Sequence, residues 1–167
     1  MAVGRLVDLG ITRVWWVTTM SIKGQPTSTE ITNGKDLSNF LLPDYAFAAD
    51  ASTTINERPI TATVDAETPT IGKLKASLTL FRYFDTTSKL PDTTDLEQAF
   101  IGHPAGWLVR RTGPPATTAI ASGQFVELAN FIADVPQKEG GTGTGFLKLT
   151  VPLLPQGLYN PSFALIS

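Results

Sequence analysis

The sequence has no cysteine, which excludes thiolate nucleophiles, disulfide frameworks and cysteine-ligated zinc together. It has one histidine, His103, so neither a histidine-pair metal site nor a two-histidine relay can form. Charge is also scarce: Asp, Glu, Lys and Arg make up 17%, below the usual quarter. The balance of 13 basic against 15 acidic residues, net −2, has the wrong sign for a protein that neutralises phosphates. A surface this poor in charge is open to protein contacts. Long apolar runs are missing too. Arg5, Asp8 and Arg13 interrupt the N-terminal segment. Neither a signal peptide nor a spanning helix of about 20 apolar residues is visible. The expectation is a protein made and kept in a cytoplasm, or assembled from one.

What is present points to strands. The chain has 167 residues, a length that suits one domain and a core without staples. It contains 23 threonines, and β-branched side chains favour a pleated surface. Gly and Pro recur at the spacing of turns. No internal repeat and no linker is found. Residues 12–20 (TRVWWVTTM) predict a strand with bulk on both faces, hence covered on both. Gly24, Pro26 and Asn33-Gly34 mark turns. Residues 35–42 fit a short strand or a loop, 43–54 an irregular segment, and 54–64 a strand confined by Pro59 to an edge or loop. Residues 73–84 (KLKASLTLFRYF) give the best strand: Leu74, Ala76, Leu78 and Leu80 apolar, Lys73, Lys75, Ser77 and Thr79 polar. The pattern breaks at Leu80–Phe81, by a bulge or by covering of both faces. Residues 92–102 predict the one helix, capped by Asp92 or Thr93 and ended by Gly102 and Pro104. Strands follow at 106–111, 123–133, 145–154 and 163–166. The order predicts a mainly β fold with one flanking helix, a β-sandwich or barrel.

Candidate chemistry is thin. His103 has a reference pKa suited to a general base, but its Gly-His-Pro context reads as a loop. Gly-x-Ser-x-Gly is absent, and Ala121-Ser-Gly-Gln reads as a turn. Asp65 and Glu67 lie in a Thr/Pro-rich loop; Asp92, Asp95 and Glu97 suit helix capping better than paired-carboxylate catalysis. Residues 140–145 (GGTGTG) precede a strand and lack the Lys-Ser/Thr ending of a phosphate loop. Trp15, Trp16 and Trp107 offer rings for a carbohydrate-binding module, or anchors for a core. The expectation is no enzyme, with no catalytic, cofactor-binding or metal residues and no cofactor.

Four segments carry a family resemblance: residues 29–38 (TEITNGKDLS), 75–85 (KASLTLFRYFD), 106–111 (GWLVRR) and 123–128 (GQFVEL, running on to Pro136). In this order they resemble the major tail tube proteins of long-tailed phages with non-contractile tails, the siphophage type, particularly the short versions of actinobacteriophages. The Trp15-Trp16 pair and the apolar stretch after Pro155 depart from that pattern.

The resemblance implies a structural virion protein, assembled in the host cytoplasm and located in the tail. It implies six-membered rings stacked into a tube whose sheets line the passage for DNA delivery. Partners would be further copies of itself and the tape-measure, tail-terminator and distal tail proteins. DNA would pass without specific binding, and no membrane would be involved. The alternatives are another virion component, a capsid decoration or tail-completion protein, or the carbohydrate-binding sandwich. A conduit that must not grip DNA is expected to have a polar wall, neutral or net negative. Residues 1–167 are read as one domain. Residues 35–62 are taken as a long loop reaching a neighbouring copy, anchored by Phe40, Leu41, Leu42, Tyr45 and Phe47. Residues 1–11 and 156–167 are taken as assembly arms.

Overall fold

The computed structural model describes residues 10–56, 60, 67–92, 96–140 and 145–164. Strand β1 (Thr12–Val17) leads to helix α1 (Ser28–Asn33) and the two-residue strand β2 (Lys35–Asp36). Strands β3 (Ala46–Asn56) and β4 (Glu67–Phe81) pair along most of their length. A 3-10 turn at Glu97–Phe100 precedes β5 (Ala105–Thr112), β6 (Phe125–Ala133), β7 (Gln137–Lys138) and β8 (Lys148–Ala164). The order across the sheet is β2-β1-β5-β6-β8-β4-β3, with β7 beside β8, and every pairing is antiparallel. The chain is therefore mainly antiparallel β with one small helix, as its composition predicts.

Strand β8 divides the sheet into two layers. Its start, up to Pro152, pairs with β4; from Leu153 to Ala164 it pairs with β6. Strand β7 prolongs the line of β6, since Ala133 faces Leu153 and Gln137 faces Thr150. One layer is β2, β1, β5, β6 and the end of β8; the other is β3, β4, the start of β8, and β7. Side chains alternate along each strand. Val14, Trp16, Leu108, Ala129 and Phe131 meet Phe47, Leu78, Leu80, Leu149 and Val151 in the main core. Trp15, Val17, Trp107, Val109, Val126 and Leu128 form a second core on the other side. Ile31 of α1, with Met20, Ile120 and Leu158, closes it. The first layer is thus covered on both faces, as residues 12–20 predict.

Helix α1 is only six residues long and depends on its caps. Thr27 Oγ1 accepts from the Glu30 amide at 3.1 Å, and the Thr27 amide donates to Glu30 Oε2 at 2.9 Å. The Ser21 amide donates to Glu30 Oε1 at 2.6 Å. Hydrogen bonding from Ser21, then from Thr27, lowers the Glu30 pKa from 4.5 to about 2. A folded pKa below the unfolded one adds stability that is complete above pH 4.5 and fades as pH falls toward 2. Acid titration of unfolding midpoints should show this loss, and Glu30→Gln should flatten it over the same window.

Several expectations need correction. In place of a helix over 92–102 there is only the turn at Glu97–Phe100, whose N-cap Leu96 makes no side-chain bond. Leu96 and Phe100 are buried as the apolar stripe requires, but Gly102 and His103 both take positive φ and end the turn at once. Residues 93–95 lie outside the described ones. Helix α1 (Ser28–Asn33) overlaps the start of the 29–38 segment, where no helix was expected. Residues 43–54 are not irregular: from Ala46 they form β3, and its cross-strand partners in β4 override weak intrinsic propensity. Residues 35–62 are therefore no long loop, although 57–59 and 61–62 lie outside the described residues. Strand β4 begins earlier than expected, at Glu67, and ends at Phe81. Its register with β8 is unbroken from Ser77 to Phe81, so no bulge sits at Leu80–Phe81. Covering explains the pattern instead: Leu41 bridges to Leu80, and Phe146 packs edge-on against Phe81 at 5.8 Å. The two last expected strands are one, β8, which takes in residues 156–164. Residues 1–9 and 165–167 lie outside the described residues.

Candidate assembly interface

Among the described residues strand β3 pairs only with β4, so the sheet ends on this side at Ala46–Asn56. Among the same residues strand β4 meets β8 only over Ser77–Phe81, so no strand lies beside 67–76 on that side. The cause lies in β8, which follows β4 briefly and then stays with β6. Pro152 and Pro155 at the branch carry no amide hydrogen, and Gly157 has φ +88°. The branch opens a cleft of about 400 Å³ lined by Asp50, Gly72, Lys73, Leu74, Pro155 and Tyr159. Free edges invite further strands, and monomeric proteins usually guard them with charge or proline. β3 carries one charge, Asp50, and no proline; its register against β4 shifts twice, between Asp50 and Thr53 and between Thr53 and Thr54.

The second layer packs its apolar side chains into the main core. Its outer face holds Asp50, Lys73, Lys75, Ser77, Thr79, Lys148 and Thr150, the polar set that the 73–84 alternation predicts. Asp50 stands directly opposite Lys73 in the register. The described charges of this face are three lysines and one aspartate.

Polar side chains tie the layers together. Arg110 of β5 donates through Nε to Glu127 of β6 at 2.8 Å and through Nη1 to the Tyr45 hydroxyl at 3.4 Å. The Tyr159 hydroxyl donates to Glu127 at 2.7 Å. Burial opposes the charge on Arg110, yet bonding to Tyr45 and Glu127 prevails and raises its pKa. Burial, then Glu127, raises that of Tyr159. At the far end of β4, Glu97 accepts from Arg82 at 2.5 Å and from Lys138 at 2.7 Å.

The five residues proposed as anchors have roles in their own chain. Phe47 is buried in the main core, 6.1 Å from Phe131 and beneath Arg110. Phe40, Leu41 and Tyr45 pack half-buried against that core, and the Leu42 amide donates to the Thr79 carbonyl at 2.8 Å. Removing 40–50 would take Phe47 from the main core and the β3 partners from Lys73–Ser77 of β4, so that deletion should destabilise the monomer itself. Trp15, Trp16 and Trp107 are all buried, which ends the carbohydrate-platform reading. His103 Nδ1 lies 3.2 Å from the Ala133 carbonyl, in a turn. The Asp92 amide donates to Tyr83, and Glu97 is held by its two cations. Asp65, Asp95 and residues 141–144 of the glycine string lie outside the described residues, as does the Glu67 side chain. Among the described residues, no cluster of three or more His, Asp and Glu could hold a metal ion, and no helix is long and apolar enough to cross a membrane.

The profile of the family described as phage tail tube protein matches residues 1–165. The chain belongs to the phage tail tube protein family. Comparison with curated proteins gave no match. Members are structural components of the virion tail that assemble with one another and with other tail components. The β3 edge carries neither lysine nor proline, whereas the β4 edge over 67–76 carries Pro69, Lys73 and Lys75. The sheet edge at β3 escaped the sequence reading because residues 43–54 lack strand alternation. The signal available was negative: eleven residues without proline and with one charge.

Proposed function

We propose that this tail tube protein closes into rings of six copies that stack into the tube of a siphophage tail, the conduit for DNA delivery. The observation that supports this most directly is the pair of sheet edges. One spans Ala46–Asn56 on β3, the other 67–76 on β4, and their lengths nearly match. Rotation about a ring axis sets β3 of one copy against β4 of the next. Because β3 and β4 are antiparallel within a copy, that junction is antiparallel too. Such head-to-tail contacts leave no free edge once the ring closes. The outer face of the second layer then turns toward the passage, since the first layer is already covered on both sides. On this assignment the wall carries Ser77, Thr79 and Thr150 together with Lys73, Lys75, Lys148 and Asp50. The stretch of β8 beyond Leu153 and the half-exposed Phe40, Leu41, Leu42 and Tyr45 supply further contacts between copies. Tape-measure, tail-terminator and distal tail proteins are its partners in the finished tail, assembled in the host cytoplasm.

Electron microscopy of the purified protein tests the assembly, with rings or tubes expected. A solitary monomer at high concentration would refute it, and binding to capsids without self-association would favour a decoration protein. The edge assignment has its own test. The chain lacks cysteine, so a Thr54→Cys chain and a Gly72→Cys chain co-assembled carry one thiol each, and a link between the two kinds joins two copies. A short bis-maleimide should yield cross-linked dimers of the two kinds from preformed tubes. Tubes that give no such dimer would sink the edge assignment and leave the tube reading standing.

A further inference from the structure

Helix α1 ends at Asn33, and Gly34 is its C-cap. The Gly34 amide donates to the Glu30 carbonyl at 3.1 Å and to the Ile31 carbonyl at 3.0 Å. Its φ is −68°, so backbone conformation does not demand glycine here. Space does: a Cβ would stand 2.8 Å from Val17 Cγ2 and 2.9 Å from the Trp16 carbonyl oxygen. Packing of α1 on β1 therefore fixes glycine after an exposed asparagine. Asparagine followed by an unhindered glycine is the pair from which a cyclic imide forms most readily.

We propose that Asn33-Gly34 is a spontaneous deamidation site which the caps of α1 hold closed. In the reaction the Gly34 backbone nitrogen loses its proton and attacks Asn33 Cγ. A C–N bond forms, ammonia leaves, and a five-membered succinimide results. Water then opens the ring at either carbonyl, giving aspartate or isoaspartate at position 33. The attacking nitrogen is the atom engaged by Glu30 and Ile31, so α1 must open before the ring can close. The capping box at the other end of this short helix governs that opening. The product adds a negative charge and, in the iso form, one more backbone carbon between α1 and β2. Trp16 is paired with Lys35 and Trp15 with Asp36 just beyond that junction, so a modified chain would recover neither the cap nor the register. The site records irreversibly how often α1 has opened.

The test is peptide mapping by mass spectrometry after incubation at mildly alkaline pH, with folded and urea-unfolded protein in parallel. The folded chain should convert at Asn33 at least about tenfold more slowly than the unfolded one. Thr27→Ala should speed conversion of the folded protein about fivefold, the change in opening that loss of an N-cap brings. Asn33→Gln should abolish the change in that peptide. Equal rates in folded and unfolded protein would overturn the proposal. So would an unchanged rate in Thr27→Ala with a native circular dichroism spectrum.

Discussion

Replacing Arg111 by methionine should lower the melting temperature by about 3–6 °C, through a loss of about 1.5 kcal/mol. Arg111 lies on β5, fully buried, on the α1 side of the first layer. No carboxylate meets it. Instead the segment after β5 wraps around the guanidinium. Nη1 donates to the carbonyls of Thr118 at 2.9 Å and Ala119 at 3.3 Å, and to Gln124 Oε1 at 3.2 Å. Nη2 donates to the Pro115 carbonyl at 3.0 Å, and the Trp15 ring lies 5.9 Å away. Burial, then the neighbouring Arg13, lowers the pKa of Arg111, but an arginine remains charged throughout the working range. Methionine keeps the apolar stem and removes every donor; the Pro115 and Ala119 carbonyls keep bonds from the Thr118 amide and Gln124 Nε2, so two acceptors are left unmet at about 1 kcal/mol each. Release of a buried cation offsets part of that cost. The loss should also be local. Residues 113–124 should become open to thermolysin, while β1, β5 and β6 keep their hydrogen-exchange protection. Arg111→Lys should share the defect, because one ammonium cannot span carbonyls from Pro115 to Ala119. An unchanged melting temperature with that segment still protected would show that the guanidinium does not organise it.

The contrast between Arg111 and its neighbours shows which features a sequence exposes. Strands rich in bulky apolar side chains were legible: residues 12–17, 105–112 and 125–133 fall within or beside the expected 12–20, 106–111 and 123–133. Double coverage of β1 was legible as well, from paired tryptophans and valines. Features set by distant partners were not. β3 has a run of alanines and threonines, and only its register against β4 makes it a strand. Gln137–Lys138 is a strand only because β8 passes beside it. The adjacent arginines at 110–111 have different surroundings that no pattern announces: one pairs with Glu127 and the other is enclosed by carbonyls. As for the interface, the polar face of β4 was visible in its alternation. The sheet edges were not, because an edge is defined by strands that are missing, and topology alone supplies that.

The same dependence on distant partners governs the glycine before Trp107. A Cβ on Gly106 would stand 2.6 Å from Trp16 Cε2 and Cζ2 and 3.0 Å from its Nε1. A flexible side chain could yield; an indole in this place cannot. Trp16 is buried, its Nε1 has no hydrogen-bond partner, and the Phe100 ring stands edge-on at 5.5 Å on the core side. Gly106→Ala must therefore displace β5 from β1 or drive the indole into the core. It should cost about 2–3 kcal/mol, near the upper end for overpacking, read as a lower urea midpoint with an unchanged slope. Trp16→Phe should also destabilise, through the space it leaves beside Gly106 and Phe100. The decisive measurement is the double variant. If the indole edge is what excludes a methyl group, Trp16→Phe gives Gly106→Ala room, and the pair should cost about 1–2 kcal/mol less than the sum of the singles. Additive losses would mean that glycine is needed for backbone reasons, and that the 2.6 Å approach is not what fixes it. The expected non-additivity ties the opening glycine of residues 106–111 to a tryptophan ninety residues earlier, across the β1–β5 pairing on which both cores are built.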